Sequence, residues 1–316
     1  MKRLQPIVDN KRDLYEQVLQ MHLQKGPVEH DYSFGFISEL LEDVLDLLDS
    51  SSRVEYVCPP VNICGDIRSR YGDILDVFRT CGWPFDQKYL FLGNFIDGRK
   101  FTLETLVLLI CCKICYPGNI VLLRGYFENE LVKTDRSFIG ELRVKFPDAN
   151  KWQTLNSSIK TFLGRLPVVV VLNRKILCVN SMISSTIKND KNAVLVKTGN
   201  TSENHSTRLE VVFTDIDTPL PITPNKINEE TKVVKDLLKS LDISLIINSN
   251  NVMKQGYEFT LSNQLLTITS GTKLLKKNNN RGVVMMMDRH NKVHFKQIGG
   301  LEGEERSDWT SVPLRC

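Results

Sequence analysis

Three short polar segments each follow an apolar run of the chain. They read Gly-Asp-Ile-Arg at residues 65–68, Gly-Asn-Phe-Ile-Asp at residues 93–97 and Arg-Gly-Tyr-Phe-Glu at residues 124–128. The apolar runs before them are typical of buried strands, and functional groups often lie in the loops that follow strands. The carboxylates of Asp66 and Asp97 could bind cations or move protons there. The segments therefore predict a functional site built from several strand ends.

The composition limits what kind of protein this is. The 316 residues, 41% hydrophobic and 25% charged, suit one large globular domain. A formal charge of +4, from 41 basic and 37 acidic residues, gives no electrostatic case for a nucleic-acid partner. No apolar stretch approaches the about 20 residues that cross a bilayer, and the first residues have no apolar core behind their charges, so we expect no secretory signal. We expect an intracellular protein, cytoplasmic or nuclear, without a membrane partner.

Eight cysteines lie mostly inside apolar runs, which is typical of reduced, buried thiols. Cys111, Cys112 and Cys115 could suggest a zinc site. They fall within one run that reads as a helix, and no second CxxC pair follows. Packing is therefore the favoured interpretation.

The chain reads as a single domain at residues 1–298 with a C-terminal tail at residues 299–316. Its first part, about residues 10–52, is helical, and strands then alternate with helices. A polar excursion at about residues 188–228 interrupts the pattern, with one expected strand at residues 209–213. The predicted helices are 71–79, 102–116 and 152–163, and the predicted strands are 61–64, 89–92, 120–123, 167–172, 176–179, 245–247, 265–268, 282–287 and 292–297.

Seven segments, in order along the chain, resemble the phosphoprotein phosphatases (the PPP family), most of all the catalytic subunit of protein phosphatase 1. They lie at residues 63–67, 89–93, 103–105, 113–117, 122–125, 255–259 and 264–267. The likeness runs from about residue 12 to residue 297 and is weak only in the excursion. It implies an α/β (α+β) protein with the calcineurin-like metallophosphatase fold, a central β-sandwich of mixed sheets flanked by helices.

Members of that family use two divalent metals, typically manganese, iron or zinc, and the resemblance implies where their ligands would lie. Asp66 matches a metal ligand. Asp97 matches the carboxylate that orients the general acid. At the other matching positions this chain has a different residue type: Arg68, Asn180 and Asn250 replace ligand histidines, Asn94 replaces the bridging carboxylate, Tyr126 replaces a ligand asparagine, Phe127 replaces the general-acid histidine, and Gly98 replaces the phosphate-binding arginine, which is displaced to Arg99.

These replacements predict a pseudophosphatase that lacks phosphatase activity, needs no metal cofactor and binds regulatory partners or phosphoproteins. The alternative is a low-activity or atypical metal-dependent serine/threonine phosphatase. A third possibility is a sensor of phosphorylated ligands that uses Arg68, Arg99 and Arg124. We also hypothesise that Arg68 pairs with Asp66 or Asp97 as the local countercharge, while the aromatic pair at residues 126–127 fills the vacated space.

Protein phosphatase 1 binds regulatory subunits through an Arg-Val-x-Phe type segment that adds a strand beside a sheet edge. The positions that match this groove stay apolar in the present chain. They are Leu245, Phe259, Leu266, Ile268, Met285, Val293 and Phe295. Such regulatory subunits are therefore possible partners, although core packing alone would give the same pattern.

Overall fold

A computed structural model describes residues 9–48, 53–133, 138–181, 183–184, 193–197, 206–211, 232, 234–275 and 279–299. Most of the predicted excursion, and the predicted tail beyond residue 299, lie outside these residues. Among the described helices, none has the length and apolar character needed to cross a membrane.

The described helices are α1 (Asp9–Lys25), α2 (Phe34–Leu47), α3 (Tyr71–Cys81), α4 (Thr102–Cys115), α5 (Tyr126–Lys133), α6 (Phe138–Lys145) and α7 (Ala149–Arg165), with a further helical stretch at residues 234–240. The strands are β1 (Val54–Val57), β2 (Val61–Cys64), β3 (Tyr89–Phe91), β4 (Ile120–Leu122), β5 (Val169–Leu172), β6 (Ile176–Val179), β7 (Ile183–Ser184), β8 (Ala193–Lys197), β9 (Ser206–Val211), β10 (Leu245–Asn248), β11 (Tyr257–Thr260), β12 (Leu265–Ile268), β13 (Gly282–Met287) and β14 (Val293–Ile298).

Two mixed sheets form the centre of the molecule. The first has the strand order β1-β5-β6-β10-β12-β11, and the second has the order β14-β13-β2-β3-β4. Strands β2, β3 and β4 run parallel, as do β6, β10 and β12, so the carboxyl ends within each set meet at one edge. Helices flank the two sheets. The predicted two-sheet architecture is confirmed.

The sheets pack face to face through one apolar layer. Ile63 and Leu90 of the second sheet belong to the same buried cluster as Val170 and Ile247 of the first. Strand β5 is buried along its whole length, as its β-branched run predicts. Burial of each such side chain stabilises the fold by about 1.5–3 kcal/mol, so this layer fixes the relative position of the two sheets.

Helix α4 is buried from end to end and contributes its cysteines to the core on the outer side of the second sheet. Cys111, Cys112 and Cys115 are free thiols, and burial raises the pKa of each. Their position agrees with the packing interpretation.

Several elements differ from the sequence-based expectation. The first strand is β1 rather than β2, because a short edge strand of four residues carries little periodic signal. Helices α5 and α6 have eight residues each, too few for a clear apolar stripe. The excursion contributes β8 as well as β9, and β9 pairs with both β7 and β8 in a separate three-stranded sheet.

Candidate active site

Loops from both sheets converge on one buried carboxylate. Asp66 follows β2, Asn94 follows β3 and the 124–128 segment follows β4 in the second sheet. The first sheet contributes Asn180 after β6 and Asn250 after β10. Strands β2, β3 and β4 run parallel, as do β6 and β10, so the carboxyl ends of each set lie at one edge of its sheet. Contacts of Asn250 with Asn94 and Asp66 join the two edges. The structure therefore brings the predicted strand-end residues together.

Asp66 has no exposed surface and accepts hydrogen bonds from several directions. Asn94 Nδ2 lies 3.1 and 3.2 Å from its two carboxylate oxygens, and the backbone nitrogen of Asn250 lies 2.8 Å from Oδ1. The Ser249 hydroxyl donates to the same oxygen. A buried carboxylate is stable only when paired and hydrogen-bonded, and both conditions hold here.

Arg68 supplies the countercharge to Asp66. Its Nε lies 3.0 Å from Asp66 Oδ2, its Nη2 lies 3.3 Å from the carbonyl oxygen of Asn250, and only 5% of the side chain is exposed. The guanidinium carbon lies 5.0 Å from the centre of the Phe127 ring, within range of a cation–π contact. Of the two partners considered from sequence, Asp66 forms an ion pair with Arg68, while the Arg68 charge also opposes the rise that burial causes in the pKa of Asp97.

Amide side chains hold the loops of this centre to one another. Asn94 accepts from the backbone nitrogen of Phe127 at 3.0 Å and donates to Asn250 Oδ1 at 2.8 Å. Asn180 accepts from the backbone nitrogen of Tyr126 at 2.9 Å and donates to the Leu92 carbonyl at 2.9 Å. These residues therefore have structural partners at the positions where the resemblance implied metal ligands.

Close approach of backbone makes glycine necessary here. A Cβ on Gly93 would lie 2.6 Å from Gly125 Cα, and a Cβ on Gly125 would lie 2.4 Å from the Asn94 backbone nitrogen. Gly93 also has a φ of +89°, which glycine adopts at low cost. The two glycines let the β3 and β4 loops touch.

Glu128 is a site residue to which the sequence analysis assigned no role. Its buried carboxylate accepts from the backbone nitrogens of Asn94 at 2.7 Å, Gly125 at 2.8 Å and Ile96 at 3.2 Å. Burial raises its pKa to about 7, although these backbone donors act in the opposite direction. The sequence feature that could have identified it is an acidic residue three positions after Gly125, in the first turn of α5, where a carboxylate can accept hydrogen bonds from unpaired backbone N–H groups.

Asp97 belongs to a neighbouring contact rather than to the Asp66 network. Its Oδ2 lies 2.8 Å from Arg99 Nε, and its backbone nitrogen donates to Ser69 Oγ at 3.0 Å. Burial raises the pKa of Asp97, and the Arg99 charge partly offsets that shift. Gly98 has a φ of +78°, so the chain turns there and Arg99 points at Asp97 from the next position.

The residues around Asp66 do not fit a pair of divalent metals. In the part of the chain that the structure describes, no three His, Cys, Asp or Glu side chains are grouped so that they could hold a metal ion. Two dications about 3.5–4 Å apart repel by roughly 17–19 kcal/mol at an effective dielectric of about 20. Offsetting that repulsion needs several anionic ligands, whereas Asp66 is already neutralised by Arg68.

The histidines that the structure describes lie elsewhere. His22 and His30 are buried near Tyr71, while His290 and His294 belong to the β13–β14 hairpin, and His205 is outside the described residues. Neither pair is among the residues that contact Asp66. The chain thus offers no described imidazole as a substitute ligand at this centre.

A second feature is an apolar groove of about 520 Å³ beside the edge strands β11 and β14. Five of the seven side chains predicted for a partner groove line it: Leu245, Phe259, Met285, Val293 and Phe295. Leu266 and Ile268 lie beneath, fully buried in the layer between the sheets. Tyr257 and Phe295 stack with ring centres 4.0 Å apart at its margin.

Comparison with known proteins identifies the relatives of this chain. The profile of the calcineurin-like phosphoesterases matches residues 59–249. The serine/threonine-protein phosphatase 6 catalytic subunit of Caenorhabditis elegans is 27% identical over 262 residues, covering 80% of this chain and 77% of that protein. The serine/threonine-protein phosphatase ppe1 of Schizosaccharomyces pombe is 25% identical over 303 residues, 93% of this chain and 95% of that protein.

Solved structures agree on the fold. A protein serine/threonine phosphatase of Saccharomyces cerevisiae, described as similar to human phosphatase PP5, superposes with a TM-score of 0.68 at 16% identity, covering 92% of this chain and 98% of that one. A cold-active protein-tyrosine phosphatase of Shewanella gives a TM-score of 0.54 at 12% identity, covering 80% and 84%. At these identities the likeness concerns the fold alone.

These findings correct two expectations from the sequence. The expectation that the protein lacks phosphatase activity is wrong, because its relatives over most of the chain are named serine/threonine protein phosphatases. The expectation that no cofactor is needed is also wrong, because the matching family is one of metallophosphatases that normally bind two divalent ions. The chain belongs to the calcineurin-like phosphoesterases.

Proposed function

We propose that the protein is an atypical protein serine/threonine phosphatase with low activity. The observation that carries the proposal is the convergence of the strand-end loops on Asp66 in a chain that matches named serine/threonine phosphatases almost end to end. Low activity follows from the side chains at the centre. Phe127 has no proton to donate, and general acid catalysis contributes on the order of 10²–10⁴-fold in rate.

The environment of Asp66 supports the same conclusion. Arg68 and Asn94 occupy its two oxygens, so a phosphate that approaches this carboxylate meets a guanidinium rather than a bridging anion. A fixed guanidinium can stabilise negative charge that develops on a phosphoryl group. It provides charge stabilisation without a proton donor, which is consistent with slow turnover.

The test is release of inorganic phosphate from phosphoserine and phosphothreonine peptides by the purified full chain, with and without added manganese. The matched control is the double variant D66A/R68A, which removes both charges and leaves no buried ion unpaired. We expect slow turnover by the wild type that the double variant loses. Equal release by both proteins would mean that the phosphate comes from a contaminating phosphatase, and no release under any condition would overturn the proposal.

We also propose that the apolar groove binds an extended segment of a regulatory protein. Supporting this are the two edge strands beside the groove, whose backbone groups can pair with an added strand, and the half-exposed rings of Phe259 and Phe295. A pull-down or anisotropy titration with an Arg-Val-x-Phe peptide tests it. If a peptide with Ala at both apolar positions binds equally well, the proposal is contradicted.

We propose an intracellular site of action, cytoplasmic or nuclear, supported by the free buried thiols.

A further inference from the structure

A cationic cleft of about 340 Å³ opens next to the Asp66 centre. It lies between the loop that leads into α3 and the loop that leads into α4. Arg70, Arg99 and Lys100 line it, and Arg68 contributes to its inner wall. The cleft is therefore continuous with the candidate active site through Arg68.

Two of these arginines are held in place by buried carboxylates. Arg70 Nε lies 2.8 Å from Asp73 Oδ2, and Arg99 Nε lies 2.8 Å from Asp97 Oδ2, while the side chains of Asp73 and Asp97 are only 3% and 1% exposed. Each contact uses Nε alone. Among the described residues, none accepts a hydrogen bond from the terminal nitrogens of either arginine. Those nitrogens form the planar fork that binds carboxylates and phosphates in a bidentate manner.

The acids near the cleft leave this positive surface open. Asp73 and Asp97 are buried beneath their arginines, and Asp73 also accepts from the backbone nitrogen of Thr272 at 2.7 Å. Lys100 pairs with Glu29 at 2.9 Å, and with 69% and 60% of the side chains exposed, such a pair contributes little and exchanges readily. The amino end of α3, whose first flanking residue Arg70 makes no side-chain capping hydrogen bond, adds partial positive charge.

We propose that this cleft binds acidic residues that flank the phosphorylated residue of a polypeptide substrate. The inference rests on the proposed function and adds a preference to it. An extended chain advances about 3.3–3.6 Å per residue, so a segment with its phosphorylated residue near Arg68 places residues a few positions away against Arg70 and Arg99. A polypeptide suits the cleft better than a small enclosed ligand because Arg99 and Lys100 are largely exposed, at 60% and 69%.

The experiment measures binding rather than turnover, so that it stands apart from the test of activity. Fluorescent peptides with one central phosphoserine, flanked by Glu on both sides or by Lys on both sides, are titrated with the full chain. The variant R99Q/K100Q removes two exposed cations of the cleft. The variant R289Q/K292Q removes the same charge from the turn of the β13–β14 hairpin and serves as the matched control. Matching melting temperatures establish that all proteins are folded.

We expect the acidic peptide to bind at least about fivefold more tightly than the basic one, and R99Q/K100Q to lose that preference while R289Q/K292Q keeps it. The preference should also shrink as salt rises from about 0.1 M to about 0.5 M. Equal binding of both peptides, or equal loss in both variants, would overturn the inference even if the protein hydrolyses phosphoserine. Acidic preference without hydrolysis would support the inference and contradict the proposed function instead.

Discussion

Strands β6 and β10 carry the Asp66 centre at their carboxyl ends and the apolar groove at their amino ends. Asn180 and Asn250 follow the two strands, whereas Ile176 and Leu245 begin them and line the groove. One end is closed, because each charge and amide there has a partner within the protein. The other end leaves apolar rings partly open to solvent. The comparison shows that the same two strands carry a polar centre whose groups are hydrogen-bonded within the protein and, at the other end, an exposed apolar surface that a partner could bury.

The largest expected effect is at the closed end. Arg68→Ala leaves Asp66 as an uncompensated buried charge, so we expect the free energy of unfolding to fall by about 3–5 kcal/mol in urea denaturation. Arg289→Ala on the exposed hairpin turn is the control and should change it by less than about 0.5 kcal/mol. The double variant D66A/R68A should be more stable than Arg68→Ala alone. If Arg68→Ala has the same free energy of unfolding as the wild type, the Arg68–Asp66 ion pair does not stabilise this centre.

The second-largest expected effect comes from placing metal-ligating side chains beside Asp66. The variant R68H/N94D would place a carboxylate and an imidazole beside Asp66, and the three together make a ligand set for a transition metal. A saturating metal at about 100 times its dissociation constant stabilises the folded state by about 2.7 kcal/mol. We therefore expect manganese to raise the melting temperature of this variant more than that of the wild type. An equal shift in the two proteins would show that these positions do not control metal binding.

At the open end, Phe295→Ala removes a ring that stacks on Tyr257 and lines the groove. Buried aromatic anchors commonly contribute about 2 kcal/mol or more to binding, so we expect roughly thirtyfold weaker binding of an Arg-Val-x-Phe peptide. Tyr56→Ala, on the edge strand β1 and 57% exposed, is the control for loss of an exposed aromatic. Comparable loss in both variants would indicate nonspecific contact.

The smallest expected effect is a gain in peptide affinity at the groove. Asn291 lines it and accepts a hydrogen bond from Asn173 Nδ2 at 2.7 Å. Asn291→Leu adds apolar surface, and we expect peptide affinity to rise by about fivefold, which corresponds to about 1 kcal/mol. Its φ of +64° makes leucine strained, so stability should fall by about 1–2 kcal/mol. Unchanged affinity, measured by calorimetry on protein that remains folded, would mean that the peptide does not reach Asn291.

The sequence predicted the strands that carry the centre to within one residue, because each is a short, mostly apolar run followed by polar residues or glycine. It also predicted which residues meet there, since parallel strands bring their ends together. It could not decide between Asp66 and Asp97 as the partner of Arg68, because that choice depends on the left-handed backbone of Arg68, with a φ of +55°, and on the Phe127 ring.

Other features depend on tertiary contacts that leave little local signal. Strand β11 has only four residues, too few for its aromatic and polar alternation to stand out in the sequence, yet it forms the sheet edge beside the groove. Glu128 reads as an ordinary surface acid until the β3 loop folds over it. The inference of inactivity failed for a different reason. It extended the loss of particular ligands to the whole protein, whereas the relatives carry a named activity.

The four-residue length of β6 and β10 limits how this chain can tolerate insertions. Their register pairs Leu245 with Ile176 and Ile247 with Cys178. A single residue inserted inside either strand would turn every following side chain to the opposite face, so it would disturb the groove lining and the asparagine loops together. Between these two strands, we therefore expect insertions to be tolerated in the stretch that links them, where the separate sheet of β7, β8 and β9 lies.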